Sequence, residues 1–303
     1  MAAPLTETLL PAANGLDALA DEEILSRLHR AQVDAIGVVR QALPEIGKAA
    51  RLMSQALQAG GSLIYAGAGS SALMASADAT ELHGTFGITP ERIHILMAGG
   101  LPRDASMPGD TEDDTAEAAK AAEIITAPDA VIIVSASGRT PYAIAVAKAA
   151  KSCRAETICI ASNRDAPLFK YATVAVCLPI AGELVAGSTR MGAGTTQKVA
   201  LNMMSTLMGI HLGHVHDGMM VNLHADNEKL QARAVGMVSH IAGIAEDSAL
   251  AYLSKAGGSV KQAVLLAAGA ESLDQANTLL EQSKQHLRVA LDLVNAGKSC
   301  RLN

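Results

Sequence analysis

The segment Ser62-Leu-Ile-Tyr-Ala-Gly-Ala-Gly-Ser-Ser-Ala72 decides the fold of this chain. Its first half, Ser62–Ala66, is short and apolar, which is typical of a buried strand in a parallel sheet. The glycines that follow let the backbone turn sharply, and the two serines begin a helix. Because the first amides of a helix lack intrahelical partners, such a turn is a ready site for phosphate. The phosphate-binding residues predicted from this segment are Gly69, Ser70 and Ser71.

A carboxylate, Glu81, follows on the same predicted helix. It would repel a phosphate, but it is well placed for acid–base chemistry on the group that carries the phosphate. A general acid must hold its proton near neutral pH, so this role requires burial or a nearby negative charge. The alternative is an ordinary surface glutamate on a helix.

Two further loops repeat the pattern of hydroxyls and glycine before a helix. The first follows the apolar run Ala130–Val134, and Pro141 fits the first turn of the helix after it. The second, Gly187–Lys198, precedes a predicted helix over Val199–Leu212. The binding residues predicted from these loops are Ser137, Gly138, Arg139, Thr140 and Ser188. Arg139 either binds an anion or braces its loop by pairing with a carboxylate.

Together the three loops predict an α/β domain that holds a phosphorylated ligand at the carboxyl ends of its strands. The spacing Gly67-x-Gly-x-x-Ala72 also fits a dinucleotide fingerprint, with Glu91 as the acid that binds the ribose. A Thr-Pro turn precedes Glu91, however, and the other two loops have no role in that interpretation.

The organisation predicted for the chain has three parts. A helical segment over 1–60 packs on an α/β domain over 61–225, and a small helical domain occupies 226–303. The predicted strands are Leu63–Ala66, Ile93–Ala98, Ala130–Val134, Thr157–Ala161 and Val174–Leu178. The predicted C-terminal helices are Asn227–Ala242, Ala245–Lys255, Val260–Gly269 and Leu273–Asn295.

Composition excludes several classes of function. The 303 residues carry a net charge of −6 with no Trp, which argues against a nucleic-acid surface. We find no signal-peptide pattern and no apolar span, so we expect a cytoplasmic protein without membrane contact. No metal is expected, because His211, His214 and His216 do not share one helix face. The cysteines lack metal-ligand spacing and are expected to be buried, reduced thiols: Cys153, Cys159, Cys177 and Cys300.

Ten short motifs, in one order and with similar spacing, resemble those of the N-acetylmuramic acid 6-phosphate etherases. The resemblance runs from about residue 16 to the C-terminal helices. The motifs are Tyr65–Ser71, Asp78–Glu81, Thr85–Gly87, Ala98–Gly100, Ala136–Tyr142, Gly187–Met191, Ala193–Thr195, Gln197-Lys198, Leu201–Met203 and Asn227–Leu230. The resemblance implies a sugar-isomerase (SIS) type three-layer domain, a parallel sheet flanked by helices, followed by a small all-helical, UBA-like domain.

The resemblance also implies an activity: cleavage of the lactyl ether of N-acetylmuramic acid 6-phosphate, giving N-acetylglucosamine 6-phosphate and D-lactate without a cofactor. By position in the motifs, Glu81 is the acid and Glu112, twelve residues after Gly100, is the base. Glu112 lies in the acidic run Asp110–Asp114, which by default is a solvated helix start. A phosphosugar isomerase and a non-catalytic phosphosugar sensor, like the related glucokinase regulatory protein, are the alternatives.

This chain departs from the family pattern near the predicted site. Ala72–Ala75 replaces Gly-Arg-Leu-Gly, Leu82–Gly84 replaces Cys-Pro-Pro, and Gly192 replaces a lysine. The loss of an arginine and a lysine affects how a substrate carboxylate is held. His83, beside the acid, either tunes it or replaces a missing cation.

A homodimer with its active site near the subunit boundary is also implied by the resemblance. The weakly polar helix Val199–Leu212 offers an apolar face for such an interface. Asn227, Glu228 and Lys229 follow shortly after it and are expected to approach the neighbouring site.

Overall fold

A five-stranded parallel sheet forms the core of the α/β part of the chain, and the computed structural model describes residues 5–107, 109–223, 225 and 227–301. The strands lie in the order β2-β1-β3-β4-β5 and all pairs are parallel. Their bounds are β1 (Leu63–Gly67), β2 (Ile93–Met97), β3 (Ala130–Val134), β4 (Glu156–Ala161) and β5 (Val174–Cys177). The five predicted strands are therefore confirmed, with ends that differ by at most one residue.

The carboxyl ends of β1 and β3 lie side by side, since Gly67 pairs with Val134. The chain passes from β1 to β2 on one side and to β3 on the other, which makes this the switch point of the sheet. Ligands of open parallel sheets bind at such a point.

Helices cover both faces of the sheet. The α-helices from the first one to the one that follows β5 are α1 (Asp21–Gly37), α2 (Leu43–Gln58), α3 (Gly69–Phe86), α4 (Thr115–Ala121), α5 (Pro141–Ser152) and α6 (Gly192–His211). Ile64 and Val131 pack with α4 and α5 in one apolar cluster on one face. Their neighbour Tyr65 points to the other face, where its hydroxyl meets Asp78 of α3. The alternation explains why every residue of β1 and β3 is buried.

The chain divides into two compact units. One contains the residues up to Thr80 together with Pro90–Leu207, and so holds the sheet and all three predicted binding loops. The other contains Glu81–Thr89 together with the chain from Met208 onward. The three-part division at residues 60 and 225 stays a prediction.

Among the described residues that follow α6, the second unit contains a short hairpin and then five helices. The hairpin, β6 (Val215–His216) with β7 (Met219–Met220), was not predicted. The helices are α7 (Glu228–Ala242), α8 (Glu246–Lys255), α9 (Val260–Ala267), α10 (Leu273–Gln282) and α11 (Leu287–Arg301). The prediction of one helix over Leu273–Asn295 is wrong. Lys284 and Gln285 adopt φ values of 50° and 69°, which a continuous right-handed helix cannot contain.

Cys153, Cys159 and Cys177 are free thiols, and the side chain of Cys300 lies outside the described part of the structure. Cys159 is buried as predicted, and burial raises the pKa of its thiol to about 12. Cys153 is exposed, contrary to expectation, because it lies at the carboxyl end of α5. No helix in the described ranges combines the length and apolar character that crossing a bilayer requires.

One charged side chain, Lys261, is buried in the apolar core of the second unit. Its residue is 2 % exposed, and its ammonium has no hydrogen-bond partner among the described atoms. Burial lowers the pKa of Lys261 to about 8. Burial, and secondly the charge of Lys261, lower the pKa of His214 to about 4. A buried cation without a partner weakens this unit.

We therefore expect Lys261→Met to stabilise the protein at pH 7. A fall in pKa from 10.5 to about 8 corresponds to roughly 3 kcal/mol of unfolding free energy. The unfolded state binds the proton more tightly, so wild-type stability rises with pH between about 8 and 10.5. The increase in unfolding free energy caused by Lys261→Met should thus be complete below about pH 8 and absent above pH 10.5.

Thermal unfolding at several pH values measures this effect, and Lys255→Met, at an exposed site of α8, is the control. The control should change stability little at any pH. A Lys261→Met protein that is less stable than wild type at pH 7 would contradict the assignment.

Candidate active site

The first binding loop joins β1 to α3 and needs glycine at two positions. A Cβ on Gly67 would stand 2.7 Å from the carbonyl oxygen of Val134. Gly69 has a φ of +54°, in the left-handed region that favours glycine. The amides of Gly69, Ser70 and Ser71 begin α3 and therefore have no carbonyl four residues earlier in the helix. The predicted anion site at this helix start has the expected backbone geometry.

The second loop, which follows β3, is held in shape by its own hydroxyls. The Ser135 Oγ accepts a hydrogen bond from the Gly138 amide at 3.0 Å and lies 2.9 Å from the Thr140 Oγ1. The Ser137 Oγ accepts from the Arg139 amide at 3.1 Å. Gly138 has a φ of +65°, and a Cβ there would stand 2.4 Å from the Ala166 Cβ. The loop is thus rigid before any ligand binds.

Asn163 supports the same loop from β4's carboxyl end. Its Nδ2 donates to the carbonyl oxygens of Ala136 and Ser137, at 3.2 and 3.1 Å. Sequence reasoning missed this asparagine, whose only signal was its place just after an apolar strand.

Ser71 connects the first two loops. Its buried Oγ accepts a hydrogen bond from the Ala136 amide at 3.2 Å. The two loops predicted from separate segments therefore lie together at the switch point of the sheet. They form one polar surface that combines the start of α3 with the hydroxyls of residues 137 and 140.

Glu112 lies directly against this surface. A Cβ built on Gly69 would stand 2.6 Å from the Glu112 Oε1, so the carboxylate occupies the space that a larger residue would fill. Burial, and secondly the charge of Asp113, raise the pKa of Glu112 above its usual range. A half-buried carboxylate beside the predicted anion site and with a raised pKa is suited to accept a proton near neutral pH.

Another residue of the acidic run, Asp114, has a structural role. Asp114 is the N-cap of α4, and its Oδ1 accepts from the amides of Ala116 and Glu117 at 3.0 and 2.8 Å. The carboxylate of Glu117 in turn accepts from the Gly99 amide at 3.1 Å, which anchors the glycine turn after β2. The spacing Asp-x-x-Glu is a capping-box signal that sequence reasoning missed. The default expectation of a helix start thus fits Asp114, whereas Glu112 faces the loop.

The third loop differs from its prediction. Its helix, α6, begins at Gly192 and not at residue 199, because the buried carboxylate of Glu183 caps it. The two Glu183 oxygens accept from the Gly192 and Ala193 amides, each at 2.8 Å. These two amides are therefore not available to a phosphate. Ser188 is half-buried four residues earlier, and its contact with phosphate stays a prediction.

Glu81 lies on α3, twelve residues after Gly69 and about 18 Å along the helix at 1.5 Å per residue. It is exposed, so the burial required of a general acid is not present in the single chain. The two predicted catalytic carboxylates therefore differ in environment. Glu112 lies against the predicted binding loops, whereas Glu81 faces solvent. His83 lies 3.0 Å, through its Nδ1, from the carbonyl oxygen of Ile88, which gives it a structural role at the end of α3.

The dinucleotide alternative does not fit the structure. Glu91 lies in a helical turn before β2, at the amino end of that strand. A ribose-binding acid must lie at the carboxyl end, beside the glycine loop. Within the described ranges, no three histidine, cysteine or acidic side chains form a group that could hold a metal.

We expect Gly69→Ala to lower turnover at least about tenfold, because a methyl group would displace the Glu112 carboxylate and strain the backbone. Gly47→Ala is the matched control, since this helical glycine has nothing within 4 Å of an added Cβ. Steady-state kinetics on both variants test the contact. Equal turnover in the two variants would show that Glu112 does not depend on the space at Gly69.

The chain is similar to several known proteins. The family model described as SIS domain matches residues 31–162. The chain is 37% identical to the N-acetylmuramic acid 6-phosphate etherase of Shouchella clausii, over 95% of this chain and 98% of that protein. It is 37% identical to the N-acetylmuramic acid 6-phosphate etherase of Deinococcus radiodurans, over 94% of each. The solved structure of a phosphoheptose isomerase from Francisella tularensis matches with a TM-score of 0.48 and 15% identity, over 63% of this chain and 100% of that one.

Proposed function

Because the chain belongs to the N-acetylmuramic acid 6-phosphate etherase family, we propose that it cleaves the D-lactyl ether of N-acetylmuramic acid 6-phosphate. The products are N-acetylglucosamine 6-phosphate and D-lactate, and the enzyme is a carbon–oxygen lyase. The observation that carries the proposal in this chain is the position of Glu112 against Gly69, beside the paired loops. A base and an anion site lie together there, as proton abstraction from a phosphosugar requires.

The substrate phosphate binds at the start of α3 and on the second loop. Gly69, Ser70 and Ser71 supply helix-start amides, and their partial positive charge favours an anion. The hydroxyls and amides of the second loop, together with Ser188, complete the phosphate contacts. The phosphate-binding residues we propose there are Ser137, Gly138, Arg139 and Thr140.

Glu112 then removes the proton at C2 of the open-chain sugar. The neighbouring aldehyde makes that proton acidic, so the electron pair left on C2 can expel the ether oxygen at C3. Water then adds at C3 of the resulting double bond and gives a proton to Glu81, which is a carboxylate once it has protonated the departing lactate, while Glu112 returns its proton to C2. Both groups thereby regain their starting protonation states. The reaction needs no redox cofactor.

Glu81 is the general acid that protonates the departing lactate oxygen, and we propose that it acts in the site of the partner subunit. Its position about 18 Å along α3 from Gly69 exceeds the length of one hexose phosphate. Its exposure in the single chain leaves it available to enter a neighbouring site, where burial would supply the proton affinity an acid needs.

A site shared between two chains requires a homodimer, and the exposed apolar side chains of α6 are a candidate interface for it. Met203 and Ile210 are 36% and 43% exposed and lie two turns apart on α6. Large apolar side chains repeated along one helix face favour an interface between copies. Asn227, Glu228 and Lys229, at the start of α7, are proposed to approach the neighbouring site. We place the reaction in the cytoplasm, where the free cysteines of the described ranges stay reduced.

The substrate carboxylate cannot be held at position 192 as in the family pattern. Gly192 has no side chain to hold it, and a Cβ there would stand 3.0 Å from the Glu183 Oε2 and 3.3 Å from the Ala35 Cβ, so any side chain at this position requires these neighbours to shift. The lactyl group is therefore the part of the substrate whose recognition differs most from that of the relatives.

Incubation with N-acetylmuramic acid 6-phosphate tests the activity. Release of D-lactate supports the lyase, formation of a ketose supports an isomerase, and binding without turnover supports a sensor. N-acetylglucosamine 6-phosphate without the lactyl ether is the control substrate, from which no lactate can arise.

The pH dependence of the reaction should report on Glu112. A base must be deprotonated, so kcat/KM rises with pH through the raised pKa of Glu112. Asp113→Asn removes the like charge and should move this acidic limb to lower pH. Asp110→Asn, at an exposed position of the same turn, is the control. A limb that Asp113→Asn leaves in place would mean that another group sets it.

A further inference from the structure

A buried carboxylate, Asp78, ties α3 to β1 and α6. It is 5 % exposed, and three neutral donors among the described residues bond to it. The Tyr65 hydroxyl donates to its Oδ2 at 2.9 Å, while the Asn202 Nδ2 and the Ser205 Oγ donate to its Oδ1 at 2.8 and 2.9 Å. Such a fully bonded carboxylate fixes the helices that contribute to it, because each lost partner leaves a buried charge less compensated.

The donors on the two sides of Asp78 belong to different elements. Tyr65 is fully buried in β1, and burial together with Asp78 raises the pKa of its hydroxyl well above the usual value. The hydroxyl therefore keeps its proton and donates. Asn202 and Ser205 lie on α6, one turn apart, and together hold that helix against α3.

Glu81 depends on this arrangement for its position. Across the described part of the chain, its side chain makes no hydrogen bond or ion pair. The backbone of α3 therefore fixes the point and direction from which this side chain extends. Asp78 is three residues earlier on the same helix and is the polar residue that joins this part of α3 to β1 and α6.

We propose that Asp78 is a positioning residue that, through its bonds to Asn202 and Ser205, fixes α3 so that Glu81 meets the departing oxygen of the substrate. This inference rests on the proposed lyase function. A positioning role predicts that loss of Asp78 harms only the step that needs the acid, because a small displacement of a catalytic group costs rate without changing phosphate binding.

The test compares two leaving groups. On the lactyl ether, the C3–O bond breaks and the lactate oxygen takes a proton from the acid. On 3-deoxy-3-fluoro-N-acetylglucosamine 6-phosphate, the base removes the C2 proton and fluoride leaves with the electron pair of the C3–F bond, without protonation. Asp78→Asn should lower kcat for lactate release at least about tenfold with KM within about twofold, while fluoride release stays within about twofold of wild type.

Tyr65→Phe is the matched control, since it removes the donor on β1 and leaves both α6 donors in place. It should keep the wild-type ratio of the two rates. Should Asp78→Asn fail to fold, Ser205→Ala removes a single α6 donor and its ratio decides the question. A parallel fall of both rates, or no fall in either, would overturn the positioning role. A wild-type protein that releases no lactate would instead contradict the proposed function, and the inference would fall with it.

Discussion

Glu112→Gln should lower turnover at least about a hundredfold, the usual scale for a positioned base. Glutamine keeps the shape of the side chain against Gly69 but cannot take the C2 proton. Substrate should still bind, because the start of α3 and the second loop are unchanged. Glu81→Gln should cause a loss of similar size for a different reason, since it removes the proton that the departing oxygen needs.

Steady-state kinetics on N-acetylmuramic acid 6-phosphate measure both variants, and Glu117→Gln is a control for a carboxylate of the same region that bonds only the Gly99 turn. Either catalytic variant with near wild-type turnover would disprove its assigned role. The fluoride-releasing substrate separates the roles, because the Glu81 variant should process it and the Glu112 variant should not.

Mixing the two inactive variants should restore activity. If each site combines Glu112 of one chain with Glu81 of the partner subunit, a mixed dimer of Glu81→Gln and Glu112→Gln chains contains one intact site. Random exchange of subunits at equal amounts should then recover about a quarter of the wild-type activity from two nearly inactive proteins. Sedimentation should give twice the 31.1 kDa chain mass.

Failure of the mixture to regain activity would contradict a shared site. If both glutamates of a site came from the same chain, every site in a mixed dimer would carry one substitution, and mixing would restore nothing. Mixing two batches of the same variant is the control for effects of dilution and exchange.

The sheet and the loops at the ends of β1 and β3 were predictable from local patterns, while the binding role of these loops stays a prediction. Short apolar runs ended by glycine and hydroxyl residues predict parallel strands that lead into loops, and Gly67 and Gly69 have the conformations that such a turn requires. That the first two loops meet followed from the rule that strand ends share one edge. The hydrogen bond from the Ala136 amide to the Ser71 hydroxyl is the contact that joins the two loops.

Other features depend on contacts distant in sequence and so could not be predicted. The start of α6 is determined by Glu183, nine residues earlier, and a small-residue segment gives no local sign of such a cap. The break at Lys284 and Gln285 occurs without glycine or proline, the residues that usually mark it. The exposure of Glu81 could not be predicted either, because the pattern of apolar residues on α3 does not tell which face of the helix is covered by the rest of the protein.

The central claim is that the ether is broken by elimination at the sugar and not by hydrolysis at the lactyl carbon. Reaction in water labelled with ¹⁸O, followed by mass spectrometry of both products, tests it most directly. We predict one labelled oxygen at C3 of N-acetylglucosamine 6-phosphate and none gained from solvent in the lactate hydroxyl. Label in the lactate hydroxyl, or no release of lactate at all, would contradict the mechanism proposed for Glu112 and Glu81.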